Sequence, residues 1–184
     1  MADVCACPGG KSFSMAIDME NDGKIFSSDL HKNKLSLITK GADRLAIDII
    51  SVREQNAKNY VKEYDSAFDK VLCDVPCSGL GVIFKKPDIK YKSIEGINGL
   101  PNVQYDILAN CSRYVKKGGY LIYSTCTINT LENEENIKKY LPEFSGEAPR
   151  KIYKNLRFEE LFGGVYMYVV KSGELVDITK DFNA

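Results

Sequence analysis

No uninterrupted apolar run in the 184 residues approaches the roughly 18 to 20 needed to cross a bilayer, and the N-terminus carries no basic region followed by an apolar stretch. A cytoplasmic protein without a membrane partner is expected. Excess charge of either sign is also missing: the formal net charge is zero, so any affinity for nucleic acid must be local. The chain holds a single histidine, His31, on a polar helix start, and no Cys-x-x-Cys pair. A structural zinc site is therefore disfavoured and no metal is expected. Repeats and low-complexity segments are absent. So are the GxGxxG turn of dinucleotide folds and the GxxxxGK[ST] phosphate loop, which disfavours pyrophosphate as a ligand.

What is present is enough for one hydrophobic core. Apolar residues make up 44% of the chain and charged residues 27%, the balance of a globular protein, and the length suits a single domain over residues 1–184. Six cysteines in a chain too large to need staples read as reduced thiols.

Short apolar runs alternate with helical segments. A glycine turn at Pro8-Gly9-Gly10 opens a helix over Lys11 to Met19. Lys24 to Ser28 reads as a strand ending on Asp29, followed by a helix across residues 31–45 that Gly41 disturbs or ends early. Ile49 to Val52, Lys70 to Asp74 and Tyr120 to Ser124 read as further strands, β-branched or aromatic and almost without polar alternation. Strands of that kind are buried on both faces, as in a parallel sheet between helices. Helices are expected over Val103 to Tyr114, closed by the stop signal Lys116-Lys117-Gly118-Gly119, and over Glu132 to Leu141. The segments IYKNL and VYMYVVK, separated by FEELFGG, suggest closing strands with an antiparallel edge. The fold expected is a doubly wound α/β, Rossmann-like sheet. Val75 to Gly99 is too long and too rich in glycine and proline for a simple connector, and such loops are commonly functional. Only Met1 and Ala2 precede Asp3 at the expected end of the first strand, where about five residues are usual. A truncated first strand, and a chain that is a fragment of something longer, are expected.

Ligands of open α/β sheets sit beyond the carboxyl ends of the strands. DVCACPGGK (residues 3–11), Asp29, DVPCSGLG (74–81) and STCT (124–127) all fall there. A glycine turn admits a ligand close to the backbone, and an acidic residue ending the second strand can hold two ribose hydroxyls, so the pair suggests a nucleoside cofactor. A plain tight turn accounts equally well for Pro-Gly-Gly taken alone. Cys77 and Cys126 both stand just past strand ends, in loops facing one crevice, a pairing that packing explains poorly. Cys73 and Cys111 read as ordinary buried cysteines. Asp74 ends its strand, where a carboxylate binding backbone is the simpler alternative, and Lys11 at a helix start is equally compatible with a solvated lysine.

In their order and spacing, DVCACPGGK, DVPCSGLG and YSTCT resemble the motifs of the Nol1/Nop2/Sun family of RNA cytosine-5 methyltransferases. FKKPDIKY (84–91) and the NEEN that follows YSTCT resemble the bacterial members, called Sun or Fmu, that act on small-subunit ribosomal RNA. The resemblance runs from Asp3 to about Leu141, and it is specific because the two cysteine motifs occur together. It implies a class I S-adenosylmethionine-dependent fold and a division of labour. Cys5, Ala6, Cys7, Pro8, Gly9, Gly10 and Lys11 would cradle the methionine part of S-adenosylmethionine, Asp29 would hold the ribose, and Asp74 would border cofactor and base. Family members usually carry an aspartate near the adenine where this chain reads Asn56, and more often alanine where Cys7 stands.

Carbon 5 of cytosine is too poor a nucleophile to take a methyl group directly. Attack of the Cys126 thiolate on carbon 6 makes carbon 5 enamine-like, which asks for a lowered thiol pKa. Asp74 would hydrogen-bond the base near nitrogen 3 and in protonated form neutralise charge on the adduct, and Cys77, as the family implies, would assist loss of the carbon 5 proton and release of the enzyme. The family attacks with the Thr-Cys cysteine rather than the Pro-Cys one, and possession of both favours RNA. Lys85, Lys86, Lys90 and Lys92, interleaved with Phe84 and Tyr91, are candidates for RNA phosphates, against the alternative of a solvated charged loop. The family's preceding region, which carries additional RNA-binding parts, is expected to be absent. Two rival readings stay open: the same chemistry on transfer RNA, and a catalytically silent cofactor- or RNA-binding remnant.

Overall fold

The structure, a computed structural model, describes residues 1–140, 153–154, 166–171 and 174–175. Its strands are β1 (Ala2–Asp3), β2 (Ile25–Asp29), β3 (Ile50–Glu54), β4 (Phe68–Asp74), β5 (Val115–Thr125), β6 (Tyr153–Lys154), β7 (Tyr166–Lys171) and β8 (Glu174–Leu175), and its helices are α1 (Gly10–Asp18), α2 (Leu35–Arg44), α3 (Ile94–Asn98), α4 (Leu100–Ser112) and α5 (Glu134–Tyr140). The strands form one sheet in the order β3-β2-β1-β4-β5-β7-β6, with β8 on β7. β1 to β5 run parallel, and β7 is antiparallel to both β5 and β6. The expected mostly parallel, Rossmann-like sheet with an antiparallel closing strand is what the chain forms. Residues 152, 155, 156 and 158–165 of the expected closing region lie outside the described residues.

Alternation along the strands divides the core between the two faces. Val71, Cys73 and Val75 join Leu121, Tyr123 and residues of α4 and α5 in the larger cluster, which includes Ile107, Leu108, Cys111, Ile137 and Tyr140. Ile25 packs with Ala16 of α1 and Ala42 of α2 in the smaller one. β1 is two residues long yet fully paired, Asp3 standing in register with Ser27 on one side and Leu72 on the other. The expected short first strand is thus completed from both neighbours, and it delivers its loop to the same edge as Asp29, Asp74 and Thr125.

Two expectations are corrected. Gly41 neither ends nor disturbs α2, which runs on to Arg44. The position is glycine for want of space: a Cβ there would stand 2.3 Å from the Phe13 ring tip, which also lies 2.5 Å from where a Cβ on Gly9 would be. Lys116-Lys117-Gly118-Gly119 does not follow the helix as a stop signal. α4 ends at Ser112, and the four residues form an irregular start to β5, where the register jumps from Phe68–Val115 to Lys70–Tyr120.

The ring tip of Phe13 is wedged between two backbones, so it cannot retreat from one without meeting the other. Gly41→Ala should therefore destabilise the fold, overpacking costing about 1–3 kcal/mol against the ~1 kcal/mol that alanine gains over glycine in a helix. Chemical denaturation of Gly41→Ala, and of Gly41→Ala with Phe13→Leu, should show a loss in the first and partial recovery in the second. A stabilised single variant would contradict this reading.

Candidate active site

A cavity of about 560 Å³ opens along the carboxyl edge of the sheet, lined among others by Cys5, Cys7, Asp29, Asn56, Asp74, Cys77, Lys86, Lys92 and Cys126. Every parallel strand contributes to it because each ends at this edge.

The loop after β1 is held by its own backbone and by Asp29. The Ala6 amide donates to the Ser28 carbonyl at 2.9 Å, and the Gly9 amide to the Ala6 carbonyl at 2.7 Å. Gly9 has φ +112°, in the left-handed region where a side chain would be strained. Asp29 accepts from the Cys7 amide at 3.1 Å through Oδ2 and from the His31 amide at 3.0 Å through Oδ1. Each carboxylate oxygen retains a second acceptor site, so both can bind hydroxyls as well. α1 begins at Gly10 with no side-chain cap and no acidic residue in its first turn, leaving a positive helix end beside the cavity. Asn56 lines the cavity just past β3, and its Oδ1 accepts from the Lys58 amide at 3.1 Å.

These features fit a nucleoside bearing an amino-acid tail: a carboxylate with spare acceptor capacity for the ribose, a glycine turn without Cβ atoms in the way, and a helix end for a carboxylate. The volume lies in the range of small-molecule pockets, about 300–1,000 Å³.

Behind this loop, Asp3 is buried at 1% exposure. Its Oδ2 accepts from the Ser12 hydroxyl at 2.7 Å, and Ser12 is 2.8 Å from the Ser27 hydroxyl. Among the described residues Oδ1 has no hydrogen-bond partner of good geometry. Burial pushes the Asp3 carboxyl up to about 6, with the Ser12 hydrogen bond pulling the other way.

The second half of the site is built on β4 and β5. Asp74 and Ser124 are in register, and the Ser124 hydroxyl donates to Asp74 Oδ1 at 2.7 Å while Lys11 Nζ donates to Oδ2 at 2.6 Å. Lys11, at 45% exposure against 30% for Asp74, is thereby engaged rather than freely solvated. Three residues past Asp74 and two past Ser124, the sulfurs of Cys77 and Cys126 lie 2.9 Å apart. All six cysteines are free thiols.

Two thiols so close titrate as a unit, because the thiol that keeps its proton donates to the sulfur that has lost it. The Cys77 hydrogen bond brings the Cys126 thiol down to about 7 against the opposing effect of burial, with Asp74 raising it and Lys11 and Lys86 lowering it. Cys77 is driven strongly upward by the same hydrogen bond and by burial, although the Cys126 amide, 3.2 Å from its sulfur, pulls the other way.

Of the lysines named from the sequence, Lys86 and Lys92 line the cavity, whereas Lys85 and Lys90 lie on the exposed turn outside it. Lys92 Nζ donates to the Ser78 carbonyl at 2.8 Å, so it also ties the Cys77 loop down. Phe84 and Tyr91 are each 89% exposed. Sequence reasoning passed over Glu132, placed at a helix start. It is wholly buried, and its oxygens take hydrogen bonds from the Ser78 amide and the Gln104 and Asn129 side chains. Among the described residues no group of three or more potential metal ligands occurs, and no helix is long and apolar enough to cross a membrane.

The sheet order is that of the Rossmann-like fold of class I S-adenosylmethionine-dependent methyltransferases. The family model for 16S rRNA methyltransferase RsmB/F matches residues 1–153. The chain is 45% identical over 149 residues to a probable ribosomal RNA small subunit methyltransferase B of Bacillus subtilis, covering 80% of this chain and 33% of that protein. It is 31% identical to the ribosomal RNA small subunit methyltransferase F of Aeromonas salmonicida, covering 80% and 31%. The crystal structure of NSun6 from Pyrococcus horikoshii with SFG superposes with a TM-score of 0.79 at 25% identity, over 94% of this chain and 47% of that one. The chain belongs to the RsmB/F family of 16S rRNA methyltransferases, as the resemblance to the Sun family implied. It spans about a third of the length of the curated relatives it matches.

Two measurements check this electrostatic picture. Alkylation of Cys126, followed by peptide mass spectrometry against pH, should have its midpoint near the value of about 7 set by the Cys77 hydrogen bond. In Cys77→Ala the midpoint should rise toward an ordinary thiol, about 8.5; an unchanged midpoint would remove Cys77 as the cause. Asp3, raised from 3.8 to about 6, binds a proton more tightly folded than unfolded. Its stabilising contribution is therefore full below about pH 4 and lost as pH rises through about 6. Asp3→Asn should gain up to about 3 kcal/mol at neutral pH and little at pH 4, read from thermal unfolding at both, and an equal effect at the two pH values would rule this out.

Proposed function

We propose that this chain is the catalytic domain of an RNA cytosine-5 methyltransferase, acting on small-subunit ribosomal RNA through a covalent bond from Cys126 to the target base. The observation that carries the reading is the pair of sulfurs 2.9 Å apart at the cavity edge, one made acidic by the other, with Asp74 between them and the glycine-turn loop. The relatives' names supply the substrate class, and the Pyrococcus horikoshii NSun6 structure holds SFG, an S-adenosylmethionine analogue.

S-adenosylmethionine, when bound, supplies an electrophilic methyl group. Asp29 offers its remaining acceptor sites to the ribose hydroxyls, Asn56 its amide to the adenine edge, and the start of α1 its amides to the amino-acid carboxylate. Cys126, as thiolate, adds to carbon 6 of cytosine; a carbon–sulfur bond forms, the 5,6 double bond opens and carbon 5 gains nucleophilic character. Asp74, with Lys11 and Ser124 orienting its oxygens, meets the base near nitrogen 3 in protonated form; it gives nitrogen 3 its proton as negative charge gathers there in the adduct and recovers it when the adduct breaks down. After transfer, the carbon 5 proton passes to water, its electron pair re-forms the 5,6 double bond and Cys126 leaves as the thiolate; Cys77 assists these steps, its thiol hydrogen-bonding the departing sulfur. The base must leave its stack to reach this depth. Phe84 and Tyr91, fully presented to solvent beside Lys85, Lys86 and Lys90, offer planes on which neighbouring bases stack and charges that meet phosphates.

Trapping tests this directly. Cys77→Ala, incubated with S-adenosylmethionine and a small-subunit ribosomal RNA fragment at about pH 8.5, where even an ordinary thiol is half ionised, should accumulate a covalent protein–RNA complex that is lost when Cys126→Ala is added. An RNA that binds but gives no such complex would sink the mechanism.

A further inference from the structure

Glu132 belongs to no motif role assigned above, yet it sits at the junction of the two cysteine loops. Its Oε2 accepts from the Ser78 amide at 2.8 Å and from Gln104 Nε2 at 2.8 Å. Its Oε1 accepts from Asn129 Nδ2 at 2.9 Å and from the Thr127 hydroxyl at 3.5 Å. Ser78 adjoins Cys77 and Thr127 adjoins Cys126, so one buried carboxylate holds the residue next to the first sulfur directly and the turn after the second through Asn129, with a longer contact to Thr127 itself. The two loops are also pinned to one another by the Ser78 and Thr127 hydroxyls, 2.6 Å apart.

The donors are fixed by what lies behind them. Gln104 Nε2 also donates to the Pro76 carbonyl at 2.9 Å, and its Oε1 accepts from Asn136 at 3.1 Å, which sets the amide's orientation. Asn129 Oδ1 accepts from the Leu131 amide at 3.2 Å, setting the other. The Glu132 backbone carbonyl accepts from the Tyr123 hydroxyl at 2.6 Å. Burying a carboxylate without a cation is costly unless hydrogen bonds replace its water, and an apolar core would be the cheaper way merely to hold a turn. Loops with separate anchors could drift apart; loops sharing an anchor cannot.

We infer that Glu132 is a positioning residue, which through Ser78 on one loop and Thr127 on the other fixes the distance between the Cys77 and Cys126 sulfurs. The inference deepens the proposed function, resting on its use of both thiols, but its test does not require methyl transfer. Glu132→Gln keeps the shape and turns one acceptor into a donor. On the Oε2 side that donor would face the Ser78 amide and Gln104 Nε2, neither of which can turn to accept, and on the Oε1 side it would face Asn129 Nδ2.

The spacing is read by the rate at which a diazene dicarboxamide oxidises the pair. Each thiol gives up one hydrogen, the reagent is reduced to the hydrazine, and the Cys77–Cys126 disulfide is counted by mass spectrometry. The Cys126 alkylation midpoint provides a second reading. Glu132→Gln should slow disulfide formation by about tenfold or more, the scale on which small misplacements act, and should raise the midpoint as the Cys77 donor moves away. Asn129→Ala, which removes one partner of the carboxylate and leaves the core intact, should shift both readings the same way by less, and serves if the first variant fails to fold. Unchanged disulfide rate and midpoint in whichever variant is folded, even with a lower melting temperature, would overturn the inference and reduce Glu132 to a structural residue. Altered thiol readings in a chain whose Cys77→Ala form traps no RNA would leave this inference standing and count against the proposed function instead.

Discussion

The parallel register of β4 against β5 is the constraint on which the rest of the site depends. With Asp74 opposite Ser124, the chain needs three residues on one strand and two on the other to bring two sulfurs to 2.9 Å. A slip of one residue would turn every side chain of β5 to the opposite face. Tyr123 would leave the core it shares with Ile137 and Tyr140, and Ser124 would lose Asp74. The register is therefore set by the apolar residues of the two strands, although its consequence is chemical. β1 is short for a central strand, but its neighbours hold it on both edges, and the loop that follows it starts where Asp29 and Lys11 can both be reached.

Polar groups are concentrated beneath this edge, where they cost stability. Asp3 keeps an oxygen with no well-formed hydrogen bond among the described residues, and Glu132, Asn133, Gln104 and Thr125 are all buried. The Thr125 hydroxyl donates to Asn133 Oδ1 at 2.6 Å, and Asn133 Nδ2 donates to the Thr127 carbonyl at 2.8 Å. An irregular loop cannot satisfy its backbone in a ladder, so side chains from α4 and the turn before α5 do so instead. The outcome is a pair of loops whose backbone and side-chain polar groups are held by partners buried behind them.

Much of this was legible in the sequence, for reasons that differ by residue. The strands of the sheet announce themselves as apolar runs, and the Pro-Gly-Gly turn, Asp29, Cys77 and Cys126 fall at strand ends, so the sheet alone assembles them. Gly41 was misread because a glycine needed for the Phe13 ring looks in sequence like one that ends a helix. Lys116 to Gly119 was misread because basic residues before glycines mark a helix end and an irregular strand start alike. The role of Glu132 was not legible at all. Its neighbours contributed to the family resemblance, but an acidic residue before a helix is usually a solvated one, and only the approach of Ser78 and Gln104 from distant parts of the chain makes it an anchor. Contacts between segments that are far apart in sequence leave no local pattern.

The Lys11–Asp74 pair shows how a weak interaction can matter more for reactivity than for stability. Both groups are partly exposed, at 45% and 30%, and pairs of that kind contribute about 1 kcal/mol or less to folding. Asp74 stands near enough to Cys126 to oppose its ionisation, and Lys11 favours it. Without the lysine, the Asp74 carboxylate would oppose ionisation of Cys126 unrelieved. The chain as a whole carries no net charge, so the balance is struck locally. Lys11 in the first turn of α1 and Lys86 on the loop after β4 both favour ionised Cys126, from separate segments, while the hydrogen bond from Cys77 has the largest effect. One cation against the carboxylate and one proton between the sulfurs thus let two groups of like charge lie close together.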